Sequence, residues 1–531
     1  MRNLELPGRS PVIAQNGVAA TSHYLATETA VTVLREGGNA MDAAIAACAV
    51  QCVVEPESTG IGGDCFCLYT PRGASAPIAF NGSGRAPSAA TPEWYAQEGI
   101  TRIERQSAHA VTIPGAVDAW HQLLRDHGTM PMAKVLAPAI GFARDGYPVG
   151  ARVSADFAFN VGILKDCPNA TRVFLPGGAP IPMGEVHRQP ELAATLQAIG
   201  DHGRDAFYTG AVAQDIVDYL QSRGGLHTME DFATAAGDYV QPIVAQYQGL
   251  DVFQCPPNGQ GVIALMLLKL IERFPPAGDT PINVQRIHQE IEAGRLCYHQ
   301  RNAWLADPAQ AEVPVDWLLS DANIDALFQS INPDAANTVL PDFQPPDHRN
   351  TVYITVVDKD RNACSFINTL FDNFGTGWMA PKSGVFLHNR GQGFTLEAGH
   401  PNCIAPGKRP LHTIIPGMIM KNGQAVMSYG VMGGQYQAFG HMQFLSRHLQ
   451  YGLDVQEAQD LPRFFPNPKT GNVEVEGAVP DEVLDGLCAL GHSIVPAPRP
   501  IGGSQAIWID HERGTLTGGS DPRKDGCAIG Y

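Results

Sequence analysis

The sequence predicts an α+β fold, helices together with antiparallel strands, on three observations. Residues 351–357 alternate two faces, with Thr351, Tyr353, Thr355 and Val357 on one and Val352, Ile354 and Val356 on the other, which is the period of a strand. Lys359-Asp360-Arg361 is turn-like, and Asn362 to Leu370 reads as a second strand, so the two make a hairpin. Upstream, Thr21 to Glu36 has the pattern of an amphipathic helix stopped by Gly37-Gly38-Asn39, and the almost wholly apolar Ala40 to Val54 follows as a second helix.

Folding the hairpin about Asp360 pairs residues whose numbers sum to 720, which sets Thr351 opposite Thr369 on one face. On pattern alone a cross-strand threonine pair is also ordinary sheet decoration. Further helices are expected over Val212 to Arg223, Gly261 to Phe274 and Ile282 to Leu305, with a short strand at Leu250 to Gln254. Residues 306–348, rich in Pro, Asp and Ala with weak periodicity, read as a mobile, irregular lead-in to the hairpin. Beyond it, Gly384 to Asn389 and Ala425 to Val431 read as strands, the second running through Met432-Gly433-Gly434-Gln435 into a helix with Phe439, Met442, Leu445 and Leu449 on one side.

Bulk properties narrow the function. A chain of 531 residues suggests two domains or one large composite. Its net charge of −17 argues against nucleic acid or an anionic membrane as partner. An anionic substrate stays open, because a local arginine can dominate a pocket. The N-terminal residues show no basic stretch followed by an apolar run, and the 12-residue apolar segment Ala43 to Val54 is short for a membrane span. The eleven cysteines are expected to be reduced thiols in the cytoplasm, with Cys65-Phe66-Cys67 as packing residues. No H-E-x-x-H, P-loop or G-x-S-x-G is present, so no metal or nucleotide cofactor and no nucleophile-elbow hydrolase is implied.

Several motifs point further. Thr351-x-x-x-Thr355-Val-Val-Asp-Lys-Asp precedes a second strand ending in Thr369-Leu370 and then Phe374-Gly-Thr-Gly377. Gly37-Gly-Asn-Ala-x-Asp-Ala-Ala-Ile-Ala46 leads to Glu55-Pro-x-Ser-x-Gly-Ile-Gly-Gly63, and Leu-Pro-Arg463-Phe and Gly519-Ser-Asp-Pro-Arg523 close the chain. In this order the motifs resemble the γ-glutamyltransferase family from about Gly17 to Tyr531. The resemblance implies that the proenzyme cuts itself between Asn350 and Thr351. Thr351 then becomes an N-terminal nucleophile whose own α-amine serves as general base. Thr369 would orient its hydroxyl. Gly433 and Gly434 would offer backbone N–H groups to the oxyanion, although on the residues alone they also suit a close-packed turn. Arg85 lies near the region where the family places an arginine for the substrate carboxylate, and it equally suits a solvated surface. His109 reads as a structural histidine.

The departures from that pattern bear on substrate. Asp64 stands where the family would have glycine, and Phe371 where it has asparagine. After Asn389 the family carries Gln or Glu and, three residues on, an aspartate for the substrate α-amine; here these are Arg390 and Gly393. The paired serines become His412 and Thr413. A cationic residue in place of an acidic one repels an ammonium group and suits a carboxylate. These exchanges imply a small anionic amide, oxamate best, with γ-glutamyl amides such as glutathione as the alternative. A cephalosporin-acylase-like relative and a non-catalytic binding homologue are the other readings. The resemblance implies a four-layer α/β/β/α sandwich in which residues 1–350 and 351–531 stay intertwined as a heterodimer, with further pairing open.

Overall fold

The structure, a computed structural model, describes residues 8–337 and 351–531. Asn350 and the stretch 338–348 of the expected lead-in lie outside the described residues. Two seven-stranded sheets form the centre. The first runs in the order Cys527–Gly530, Val18–Thr21, Val352–Val357, Ala363–Thr369, Asp64–Thr70, Ile78–Gly82 and Asp238–Val240, all neighbours antiparallel. The second runs Val12–Ala14, Thr515–Ser520, Gly503–Asp510, Gln424–Met432, Pro416–Lys421, Leu250–Gln254 and Ile243–Tyr247, again antiparallel throughout.

The alternation read from residues 351–357 decides what each face meets. Val352, Ile354 and Val356 point outward into a core shared with the helix Ala40–Val54. That helix is buried on every side, as its composition requires, and Asn39 and Asp42 form a reciprocal capping box at its start. Tyr353 and Val357 point inward, joining Ile367, Met418 and Ile507 between the sheets. On the far side, Met427, Tyr429 and Val431 pack under the helices Gly261–Glu272 and Val284–Trp304. Helix, sheet, sheet, helix is the four-layer arrangement expected.

Three expectations need correction. Residues 306–337 are not an irregular lead-in, because Val315–Leu318 and Asp321–Gln329 are helical. The second of these buries Ile324 and Leu327 and is capped by Ser320, a pattern too short to stand out among prolines and aspartates. Gly384 to Asn389 starts in a left-handed turn at Gly384 and is held by an isolated bridge, Met379 with Phe386, and by separate backbone bonds such as Leu387 N–H to the Trp378 carbonyl, so it is not a ladder strand. The helix after Gly434 is α-helical only over Gln437–Leu445 and continues as a π turn, which leaves Leu449 partly exposed. Among the described residues no helix is long and apolar enough to cross a membrane.

The sheets approach closely where one side chain lies over a glycine. Tyr353 meets Ser365 of the neighbouring strand in its own sheet, hydroxyl to hydroxyl at 2.7 Å, and a Cβ on Gly430 of the second sheet would sit 2.3 Å from the Tyr353 ring. Gly430→Ala is therefore expected to destabilise the protein by about 1–3 kcal/mol through overpacking, read as a lower urea midpoint at unchanged slope. An unchanged midpoint would show that the sheets part without cost.

Candidate active site

The hairpin register places the first two residues. Val352 pairs with Asn368 and Tyr353 with Ile367, so Thr351 falls opposite Thr369, and their Oγ1 atoms lie 3.4 Å apart, fully buried. Both strands are interior to the sheet, which holds the two hydroxyls on rigid backbone. Immediately past the second strand the Phe371 N–H donates to Thr369 Oγ1 at 2.9 Å. Phe371 adopts φ +78° to do so, an uncommon conformation for a bulky residue.

The far wall comes from the second sheet. Gly433 and Gly434 have φ of +119° and +58°, turning the chain from the strand Gln424–Met432 toward the helix Gln437–Leu445. A Cβ at Gly433 would meet the Gly502 Cα at 2.9 Å, so only glycine fits. The turn is fixed from behind: Gln260 Nε2 donates to the Gly434 carbonyl at 3.1 Å and to the Thr413 carbonyl at 2.8 Å, while Arg301 donates to Gln260 Oε1 at 2.8 Å. Gln437 then reaches Thr351. Its Nε2 donates to Thr351 Oγ1 at 3.2 Å, and its Oε1 accepts the Ile415 N–H at 3.1 Å, which orients the amide.

Arg390 lies between these walls. Its guanidinium carbon sits 4.0 Å from the centre of the Phe371 ring, and Nη1 donates to Thr413 Oγ1 at 3.3 Å. Nε lies 3.8 Å from Asp64 Oδ2. The side chain is fully buried, yet Nε and Nη2 have no hydrogen-bond partner. Asp64 is the hub of the surrounding charges. Oδ1 accepts the Gly84 N–H at 2.9 Å and Oδ2 the His412 Nε2 at 2.9 Å, with His388 Nδ1 3.6 Å away. Burial works against the Asp64 charge, but His388, His412 and Arg390 together hold its pKa down at about 2. Burial, with the Arg390 charge adding to it, lowers His412 to about 3, so its imidazole is neutral. Burial likewise lowers Arg390 to about 9 against the pull of Asp64 and Asp372.

The remaining expected residues divide. Asn389 accepts the Asp372 N–H at 3.0 Å and donates to the Asp372 carboxylate and to Gln392 at 2.7 Å each, bracing the turn that carries Arg390. Thr413 holds Arg390 as described. Arg85 is partly exposed and directs its guanidinium to Asp238 at 3.1 Å and the Gly407 carbonyl at 3.2 Å. His109 packs at a tilt against Trp94 and edge-on against Tyr95. Cys65 and Cys67 are buried, with Cys67 3.8 Å from the sulfur of Cys364. Sequence reasoning missed Gln437 and the hub role of Asp64. A signal existed for the second: an acid replaces glycine in the same chain in which an arginine enters at 390, and the two side chains face each other.

A family model described as gamma-glutamyltranspeptidase matches residues 26–531. The chain belongs to that family. It is an amidohydrolase of it. The glutathione hydrolase-like YwrD proenzyme of Bacillus subtilis is 36% identical over 98% of this chain and 99% of its own length. The oxamate amidohydrolase proenzyme of Klebsiella pneumoniae is 33% identical over 98% of this chain and 99% of its own. The solved structure of cephalosporin acylase from Bacillus halodurans superposes with a TM-score of 0.91 at 35% identity, covering 100% of this chain and 99% of that one.

The buried neutral His412 carries a pH signature. Its folded pKa lies below the unfolded value of 6.5, so below pH 6.5 the unfolded chain takes up a proton that the native chain refuses. The stability due to its neutrality is complete above 6.5 and is lost as pH falls toward about 3. His412→Gln is expected to flatten the fall of stability over that window by up to about 1.4 kcal/mol per pH unit, measured by denaturant titration at several pH values. Parallel curves for variant and wild type would refute it.

Proposed function

We propose that the protein is a self-processing N-terminal threonine amidohydrolase that cleaves a small anionic amide, with oxamate as the best candidate. The observation that carries the substrate class is Arg390, a buried guanidinium with two nitrogens, Nε and Nη2, unmatched, stacked on Phe371 beside the Thr369 hydroxyl. Buried donors of this kind cost free energy unless a ligand meets them, and a carboxylate meets two at once. Asp64 offsets the arginine charge without hydrogen-bonding those groups, so Arg390 is held in place and left available.

In the proenzyme, Thr351 Oγ1 attacks the Asn350 carbonyl, the acyl group passes from nitrogen to oxygen, and water hydrolyses the ester. The freed α-amine of Thr351 is then the general base. It takes the hydroxyl proton as Oγ1 attacks the substrate amide carbon. The N–H groups of the Gly433-Gly434 turn stabilise the oxyanion. The proton passes to the leaving nitrogen, ammonia departs, and an acyl ester remains on Thr351. Water, deprotonated by the same amine, releases the diacid and restores the hydroxyl. Oxamate would yield oxalate and ammonia.

The two fragments, 1–350 and 351–531, would remain one body. Val352–Val357 is paired with Val18–Thr21, and Ala363–Thr369 with Asp64–Thr70, so ladders from both fragments alternate in one sheet. The name of the Klebsiella pneumoniae relative supports oxamate; that of the Bacillus subtilis relative supports the glutathione alternative. The eleven free thiols suit a reducing compartment, and we place the protein in the cytoplasm.

The denatured mass of wild type is expected to show two fragments of 350 and 181 residues, the smaller beginning Thr-Val-Tyr, and Thr351→Ala a single chain. One intact wild-type chain would remove the mechanism. Processed enzyme is expected to release ammonia from oxamate and to turn over a γ-glutamyl anilide poorly; the reverse preference would overturn the substrate reading. Arg390→Lys keeps the charge but loses the planar fork, and is expected to lower kcat/KM for oxamate by roughly 10²-fold or more while processing stays intact. Equal activity on oxamate would take Arg390 out of the binding site.

A further inference from the structure

We propose that His288, Glu292 and His492 form a binding site for a divalent transition-metal ion of the Zn²⁺ kind, and that this ion ties the large fragment to the small one. His288 and Glu292 lie one turn apart on the helix Val284–Trp304 and share its face. His492 arrives from the turn at Gly491 after the helix Asp481–Ala489. The three are only 1%, 1% and 4% exposed, and one ligand atom of each lies within 4.8 Å of the other two. None of them belongs to the active site.

The hydrogen bonds prepare the ligands. His288 Nε2 lies 2.7 Å from the Asn332 carbonyl. A carbonyl only accepts, so Nε2 carries the hydrogen and Nδ1 keeps its lone pair. Donation of the outer N–H to a carbonyl is how metal-ligating histidines are generally oriented. His492 Nε2 donates to His288 Nδ1 at 2.8 Å, and the other nitrogen of His492 is buried with no hydrogen-bond partner, so an ion takes Nε2 once the His492 proton has moved to Nδ1. Glu292 accepts Arg295 Nη1 on Oε1 at 2.9 Å and the Asn337 N–H on Oε2 at 3.1 Å, so its carboxylate is fixed beside the two rings. Arg295 is also engaged by the carbonyls of Asn337 at 3.1 Å and Gly471 at 3.2 Å.

Two imidazoles and one carboxylate select Zn²⁺, Co²⁺ or a similar ion over Mg²⁺ or Ca²⁺, which prefer oxygen ligands. Zn–N distances of about 2.0–2.1 Å at a tetrahedral angle set two nitrogens about 3.3 Å apart. The ring pair therefore opens by about half an ångström on binding. A water molecule would complete four-coordination. Two ligands precede residue 350 and the third follows it, so once the chain is cut the ion spans the two fragments. The same group grips Asn332 and Asn337 on the approach to the cut. The tie between fragments rests on the proposed cleavage, whereas the ion site does not.

The test is a titration of metal-stripped protein with Co²⁺ and Zn²⁺. Wild type and the uncut Thr351→Ala chain are each expected to bind one ion per chain, with the absorption of four-coordinate Co²⁺. Zn²⁺ is expected to raise Tm by several degrees, with Mg²⁺ and Ca²⁺ without effect. His492→Asn and Glu292→Gln are expected to lose the signal while hydrolysis continues at the wild-type rate, and either variant suffices if the other fails to fold. No Co²⁺ binding by wild type, or binding equal in a folded variant, overturns the site. Binding in wild type with fragments that separate at the same urea concentration with and without Zn²⁺ upholds the site and overturns the tie.

Discussion

The antiparallel pairing of Val352–Val357 with Ala363–Thr369 is the constraint on which the rest of the molecule depends. Its register places Thr351 against Thr369. Its position inside a seven-stranded sheet leaves neither strand free to slip, since a shift of one residue would turn every side chain to the other face. The outward valines would then enter the gap between the sheets, and Thr351 would enter the helix-side core. Burial on both faces thus fixes the position of a hydroxyl to within a fraction of a residue.

The second sheet and its helices are built to support that hydroxyl. Gln437, the first residue of its helix, projects back toward the strand end, as helical side chains do, and reaches Thr351. The glycine turn before it approaches Gly502 too closely for any side chain. Behind it, Arg301 and Gln260 form a buried polar relay from the helix Val284–Trp304 to the turn. A polar network in a core is costly unless satisfied, and this one is satisfied largely by carbonyls of the active-site backbone.

Charge at the site is balanced rather than simply reversed. The sequence comparison with a γ-glutamyltransferase pattern reads as the replacement of an acidic ammonium site by a cationic one. The structure adds Asp64 at 3.8 Å from Arg390, with His412 and His388 around it. A buried lone guanidinium is expensive, and a carboxylate beside it lowers that cost. Because their separation exceeds hydrogen-bonding distance, the pair is stabilised electrostatically while the arginine keeps its donors.

The local elements were legible in the sequence because they rest on short-range physics. The period-two run at 351–357, the capped apolar helix Ala40–Val54, the strand Leu250–Gln254 and the glycine turn at 433–434 all follow from spacing and conformational preference. So did the register of the hairpin, since a tight turn fixes which residues face each other. The short helices within 306–337 were not legible, because prolines and acids mask a few buried positions. The meeting of Asp64 with Arg390, of Gln437 with Thr351, and of His288 and Glu292 with His492 was decided only by the tertiary structure. Each pair joins residues far apart in the chain, brought together by the stacking of two sheets and their helices, and no local pattern carries the information for that stacking.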